Sequence, residues 1–136
     1  MDEKNWGKVT DLEILDASSL AANVTKRNVF GPGNGWDDYV MRHFILPKDA
    51  AIPVHAHDWD HLALSLDGHG EVIVQGEHYD IEKGNWARVP AGTEHSFRNI
   101  GDDNFVFLCI VPTHGDPHAK KISMRAERKK KKESSL

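Results

Sequence analysis

Three histidines fall within seven residues in Val54-His55-Ala56-His57-Asp58-Trp59-Asp60-His61, and their type and spacing suit metal chemistry. If residues 55–57 are extended, His55 and His57 share one face, with Cβ atoms about 6.6 to 7 Å apart. Two imidazoles at that separation reach one metal ion at Zn–N-like distances of about 2.0 to 2.1 Å. A turn over Asp58-Trp59-Asp60 lets His61 open a second strand and aim a third imidazole at the same point. Imidazole suits Zn, Cu, Fe and Ni, whereas Mg and Ca prefer oxygen ligands.

The elements that must position these side chains read as strands. From Tyr39 onward no segment keeps a helical period, and short runs alternate with turn signals. The runs are 39–46, 53–57, 61–66, 71–75, 78–81, 86–89, 95–99 and 105–111, the last being the most apolar. They are punctuated by Pro47-Lys48-Asp49, by Asp67-Gly68 (a hairpin signal), by Gly76-Glu77, Lys83-Gly84 and Pro90-Ala91-Gly92, and by Gly101-Asp102-Asp103. Eight short strands with turns at this spacing predict an all-β sandwich or small barrel. Residues 28–30 read as a short strand entering the glycine-rich loop 31–35; residues 12–15 read equally as a strand or a turn of helix. On 61–66, an inward His61 takes Ala63 and Ser65 inward with it, which leaves space beside an ion. Leu62, Leu64 and Leu66 then face the other way and need a cover. A homodimer partner is the simplest cover, and the N-terminal segment is the alternative.

A second stretch, from Gly84 to Asn99, has the spacing Gly, five residues, Pro-x-Gly, two residues, His95, three residues, Asn. It resembles the second motif of the cupin superfamily at every defined position. The first cupin motif runs Gly, five residues, His-x-His, three or four residues, Glu, six residues, Gly; His55, His57 and Gly68 match it here. Asp49 stands at the leading glycine, His61 at the glutamate, and Asn85 at an often acidic position of the second motif. The resemblance covers residues 49–99. It implies an all-β, cupin-type jelly-roll β-barrel in a single domain. It also implies one divalent transition metal per chain (Fe, Mn, Ni, Zn or Cu) held by His55, His57, His61 and His95. With His61 in place of the carboxylate, four neutral imidazoles leave the full +2 on the metal, which favours anionic ligands.

Composition narrows the class further. The net charge of −4 divides into a body, residues 1–118, with 9 Lys/Arg against 19 Asp/Glu, and a tail, 119–136, with 8 against 2. An acidic body is a poor partner for nucleic acid. The tail reads as a solvated end, partly helical or disordered, since charge runs usually are. The domain organisation expected is an N-terminal segment and short strand over 1–30, the barrel over 31–118, and the basic tail. No apolar run is long enough to span a membrane, and Met1-Asp2-Glu3-Lys4-Asn5-Trp6 carries no signal-like apolar region. The single cysteine, Cys109, excludes an intrachain disulfide, fits a reducing cytoplasm, and in its apolar run reads as an inert buried thiol.

Other residues carry plainer expectations. His43, His69, His78, His114 and His118 read as surface or strand residues. Trp36 reads as a loop anchor, and Trp59 as either a lining of the site's mouth or a packing residue. Of Arg42 and His43, alternation allows only one to face inward. The leading functional reading is an Fe(II)- or Mn(II)-dependent oxygenase acting on a small organic substrate such as an enediol or β-dicarbonyl. The alternatives are a redox-neutral metal-dependent isomerase, cyclase or lyase, and a non-enzymatic ligand-binding or sensing barrel. The two motifs hold no spare carboxylate, so no catalytic residue is assigned, and a general base must be a metal-bound hydroxide or lie elsewhere in the cavity.

Overall fold

The computed structural model describes residues 5–134. Met1 to Lys4 of the N-terminal reading and Ser135-Leu136 of the tail lie outside them. Ten strands and one helix follow in chain order. The strands are β1 (Leu15–Asp16), β2 (Thr25–Phe30), β3 (Tyr39–Leu46), β4 (Ala51–His55), β5 (His61–Asp67), β6 (His69–Val74), β7 (Glu77–Glu82), β8 (Trp86–Val89), β9 (His95–Asn99) and β10 (Phe105–Pro112). Helix α1 (Pro117–Ser134) follows. The strands form a six-stranded sheet, β1-β2-β3-β10-β5-β8, and a four-stranded sheet, β4-β9-β6-β7, with every pairing between named strands antiparallel. This is the expected all-β double-sheet barrel. No helix among the described residues is long and apolar enough to cross a membrane.

Alternation along the strands builds the interior. On β3, Val40, Arg42, Phe44 and Leu46 are buried, and on β10 so are Phe105, Phe107, Cys109 and Val111. Phe107 anchors the core, stacking on Phe44 at 5.4 Å and on Phe97 at 5.0 Å between ring centroids. Such offset pairs add roughly 0.5 to 1.5 kcal/mol beyond their buried area. Of the pair left open by alternation, Arg42 faces inward and His43 outward.

The Asp67-Gly68 hairpin expected from sequence is not formed, because β5 and β6 belong to different sheets. Gly68 instead carries the chain from one sheet to the other, at φ +80° and packed so closely that a Cβ would lie 2.2 Å from the Asn104 carbonyl oxygen. A glycine is needed there on both counts. The true tight hairpin is β6–β7, closed by Gln75-Gly76 with φ of 50° and 80°, the doubly positive turn that matches strand twist. Asp49, which stands where the cupin pattern has glycine, has φ +68°, a left-handed conformation that Asp tolerates better than most side chains.

One further expectation changes, and the tail takes the helical of its two expected forms. The strand expected over 53–57 ends at His55, so His57 lies in the loop after it. The basic tail is helical from Pro117 to Ser134, and its start has a local cause. Asp116 caps it, accepting the Ala119 N–H at 2.9 Å, while Pro117 takes the first helical position, where no N–H is required. On β5 the expected alternation holds: His61, Ala63 and Ser65 are buried, while Leu62, Leu64 and Leu66 are 45, 41 and 36 % exposed. The described part of the N-terminal segment therefore leaves those leucines uncovered.

Candidate metal centre

The histidines meet between the two sheets. His55 ends β4 and sits directly across from His95, the first residue of β9. A register shift between Ile52 and His55, next to Pro53 on this edge strand, marks a bulge of the kind that re-aims a side chain. His57 hangs from the following loop, which Gly92 fixes by donating its N–H to the His57 carbonyl at 2.6 Å. Asp60 strengthens the same link by accepting the Ala91 N–H at 2.8 Å. The Pro90-Ala91-Gly92 turn of the second motif thus locks the loop of the first. Asn99, the last residue of that motif, donates to the Leu46 and Asp103 carbonyls and accepts from the Gly101 N–H, tying β9 to its neighbours.

The ligand nitrogens of His55, His57 and His95 lie within 4.8 Å of one another. His61, from the opposite sheet, stands beside this set. Its ring centroid is 4.7 Å from His95 and 5.2 Å from His57, but 6.5 Å from His55. Two of the rings are oriented by backbone carbonyls. His55 Nδ1 donates to the Pro53 carbonyl at 2.7 Å and His95 Nδ1 to the Thr93 carbonyl at 2.8 Å. A carbonyl only accepts, so each ring is held with its proton on Nδ1 and a lone pair on Nε2, the outer-shell arrangement typical of metal-binding histidines. Nδ1 of His61 is 3.5 Å from the Cys109 thiol. Nε2 of both His61 and His95 is buried with no hydrogen-bond partner among the described residues. Buried lone pairs of this kind fit a transition metal, and the all-nitrogen donor set excludes a calcium or magnesium site.

A cavity of about 380 Å³ opens from the cluster. Phe44, Ile52, Phe97 and Phe107 form its apolar wall. Trp59 lines it and also packs, its ring stacked on His57 at 4.4 Å and 4°. Gly115 lies against that indole so tightly that a Cβ would fall 2.7 Å from it. His114 and His118, expected as surface or strand residues, sit at the cavity's edge, His114 edge-on to Trp59 at 5.1 Å. His69 and His78 do lie on strands, beside Asp80 and Glu71 respectively. Trp36 packs against Tyr39 away from the cavity, as a loop anchor does.

Sequence reasoning named Arg42 as one of two candidates to face inward but missed the group it joins on the cavity lining, Lys26 and Asp116, all three buried. Lys26 hydrogen-bonds and ion-pairs with Asp116, and Arg42 Nη1 approaches the same carboxylate at 3.5 Å. Burial alone would raise the Asp116 carboxyl; the Lys26 ammonium, the Ala119 N–H and Arg42 together hold it below its usual range. Burial lowers Lys26, with Asp116 acting against it. The Asp116-Pro117 pair was a readable helix start, but the 90 residues separating Lys26 from Asp116 hide their pairing.

Burial dominates the histidines as well. It pushes His57 down to about 4, aided by His55, His95 and Arg42 and opposed by Asp58. His61 is pushed to about 2, first by burial, then by Arg42 and the other three imidazoles. Burial also lowers His95, against the Thr93 carbonyl.

A model of the cupin domain matches residues 42–111. Over 52 residues, 38 % of this chain, the sequence is 44 % identical to quercetin 2,3-dioxygenase of Bacillus subtilis (strain 168). That alignment spans only 15 % of the dioxygenase. Among solved structures, the polyketide cyclase RemF from Streptomyces resistomycificus superposes with a TM-score of 0.72 at 23 % identity, over 80 % of this chain and 79 % of that one. A predicted oxalate decarboxylase from Thermotoga maritima gives 0.67 at 16 %, over 77 % and 96 %. At these identities the structural likenesses show the fold alone.

The depressed histidines have a testable consequence for the metal-free protein. In the unfolded chain they take up protons as pH falls through about 6.5, while in the folded chain His57 and His61 stay neutral well below that. Their contribution to stability is complete above about pH 6.5 and is lost as pH falls, toward about 4 for His57 and about 2 for His61. The chelator-treated protein should melt at progressively lower temperature from pH 7 to 4.5, and a His57→Gln/His61→Gln double variant should show a shallower slope. Equal slopes for the two would contradict the assignment.

Proposed function

The chain belongs to the cupin family, and from that premise we propose that it is a metal-dependent enzyme, an Fe(II)- or Mn(II)-dependent oxygenase of a small organic enol, enediol or β-dicarbonyl. The observation that carries the reading is the convergence of His55, His57 and His95, with the unpartnered Nε2 atoms of His61 and His95, at one end of an apolar-walled cavity. His55, His57 and His95 would hold the ion, and His61 would close the set as the fourth ligand. The bound metal would supply Lewis acidity toward an enolate oxygen and, as iron or manganese, redox chemistry with dioxygen. The local identity to a quercetin dioxygenase supports the oxygenase over the redox-neutral alternatives.

The chain's own residues do the rest. The Pro53 and Thr93 carbonyls keep the lone pairs of His55 and His95 directed inward. Phe44, Phe97 and Phe107 exclude water and offer a flat apolar surface to an unsaturated substrate body. Trp59, held by Gly115 and His114, keeps the His57 loop in place at the mouth. Ala63, small and inward, keeps space open between Arg42 and the histidines.

The outward face of β5 supports a second element of the proposal, a homodimer. Leu62, Leu64 and Leu66 lie beside Leu108 and Ile110 of β10 and Trp86 of β8, the last 77 % exposed. A continuous apolar face of this kind is the mark of an interaction surface, and a second copy covers it.

Three measurements test these statements. Protein purified without added metal should carry about one redox-active ion per chain by mass spectrometry and consume oxygen with a panel of diketones and catechols. Redox-inactive zinc without oxygen uptake would favour a cyclase, isomerase or lyase, and a stable metal-free barrel would favour a binding protein. A His61→Glu variant, which lowers the charge of the loaded site by one, should bind azide or acetylacetonate about tenfold more weakly; unchanged affinity would count against His61 as a ligand. Light scattering should give a dimer mass that falls to the monomer in Leu64→Glu, and a monomeric wild type would exclude the interface.

A further inference from the structure

Two buried cations face one buried carboxylate on the cavity lining, and Arg42 approaches the histidines through Cys109, whose sulfur is 3.2 Å from Arg42 Nη2 and 3.5 Å from His61 Nδ1. Asp116 accepts from Lys26, from the Asn28 amide at 3.1 Å and from the Ala119 N–H at 2.9 Å, and pairs with Arg42 Nη1 only at the longer distance of 3.5 Å. Arg42 is thus the under-served member. It is 7 % exposed, yet Nη2 meets only the Cys109 thiol at 3.2 Å, and Nε has no hydrogen-bond partner among the described residues. Its guanidinium lies 4.8 Å from the Phe44 ring centroid, which fixes its plane against the apolar wall. A guanidinium does not shed its proton in a protein, so this site cannot escape by neutralising itself. A buried positive charge with an unused N–H calls for an anion, and the open cavity is where one can reach it. Asp16, also on the cavity lining, is exposed, and its carboxylate accepts the Ser18 N–H, so it does not supply the missing partner.

Register places the guanidinium beside the histidines on the cavity lining. Arg42 on β3, Cys109 on β10 and Ala63 on β5 form one inward row, and His61 begins β5 two residues from Ala63. Because Ala63 is small, nothing large in that row separates the guanidinium from the imidazoles.

We propose that Arg42 is the anion-recognition residue of this cavity, and that the substrate is an organic acid with a flat apolar body, its carboxylate paired with Arg42 and its reactive end at the histidines. The proposal rests on the enzyme reading above but concerns the guanidinium that would hold the substrate rather than the histidines that would hold the metal. Lys26 makes the close contact to Asp116, while Arg42 stands 3.5 Å from it and keeps Nε and Nη2 without an oxygen acceptor, the edge a carboxylate can pair with. Cys109 is the weak partner that holds the guanidinium when no carboxylate is present.

Phenylacetate and its uncharged isostere phenylacetamide are suitable probes, with binding to the full chain followed by titration calorimetry both as purified and after chelator treatment. The wild type should prefer phenylacetate by about tenfold or more in both forms. Arg42→Met should abolish the preference, and Arg42→Lys, which keeps the charge without the planar fork, should retain only part of it. Equal affinities for the two probes in the wild type would overturn the proposal, as would a preference unchanged in either variant. Failure of the enzyme reading is separable: an Arg42-dependent preference in protein that takes up no metal would sink that reading and leave this one standing. Bound metal with no preference would do the reverse.

Discussion

A polar nitrogen buried without a partner costs roughly 1 to 3 kcal/mol, and this barrel buries two side by side, Nε2 of His61 and Nε2 of His95. Much of the fold near them is explicable as what holds that arrangement in place. The pairing of β4 with β9 puts His55 opposite His95, and the crossover at Gly68 places β5 in the other sheet, so that His61 approaches from across the interior. The Gly92 N–H fixes the His57 carbonyl, and the Pro53 and Thr93 carbonyls fix two ring tautomers. Without these constraints the rings could turn their nitrogens toward solvent or toward each other, and the cost would disappear along with the site.

The same interior holds a second unfavourable arrangement of opposite sign. Lys26, Arg42 and Asp116 are drawn together at the base of α1, where Asp116 serves both as helix cap and as counter-charge. Burying charges costs several kcal/mol per ion before pairing, so such a cluster is weak evidence for stability and better evidence for a purpose. The cavity lining thus carries both the imidazoles and the Arg42 guanidinium beside an apolar wall of Phe44, Phe97 and Phe107.

Much of this was legible in the residues. Alternation in 61–66 and 105–111 reports which side chains face inward, because a period of two admits only two faces. Histidine spacing indicated the chemistry, and the Pro-x-Gly turn before His95 marked the second half of the site. What escaped depended on tertiary pairing. Asp67-Gly68 has the composition of a hairpin, but only the sheet partners of β5 and β6 decide that it is a crossover. His57 lost its strand to a hydrogen bond from Gly92, thirty-five positions on in the chain. The Lys26–Asp116 pair joins residues that no local pattern connects, and His118 reaches the cavity from the helix that Asp116-Pro117 starts, with His114 in the turn just before it.

His61 is the residue on which the account turns, since it stands where the cupin pattern carries a carboxylate and lies just outside the tight set of the other three. X-ray absorption spectroscopy on the metal-loaded protein reads this directly, because imidazole rings give a characteristic outer-shell scattering whose amplitude scales with their number. Four imidazoles in the wild type and three in His61→Ala are the predicted result. Three in both, or a loaded metal without imidazole scattering, would contradict it.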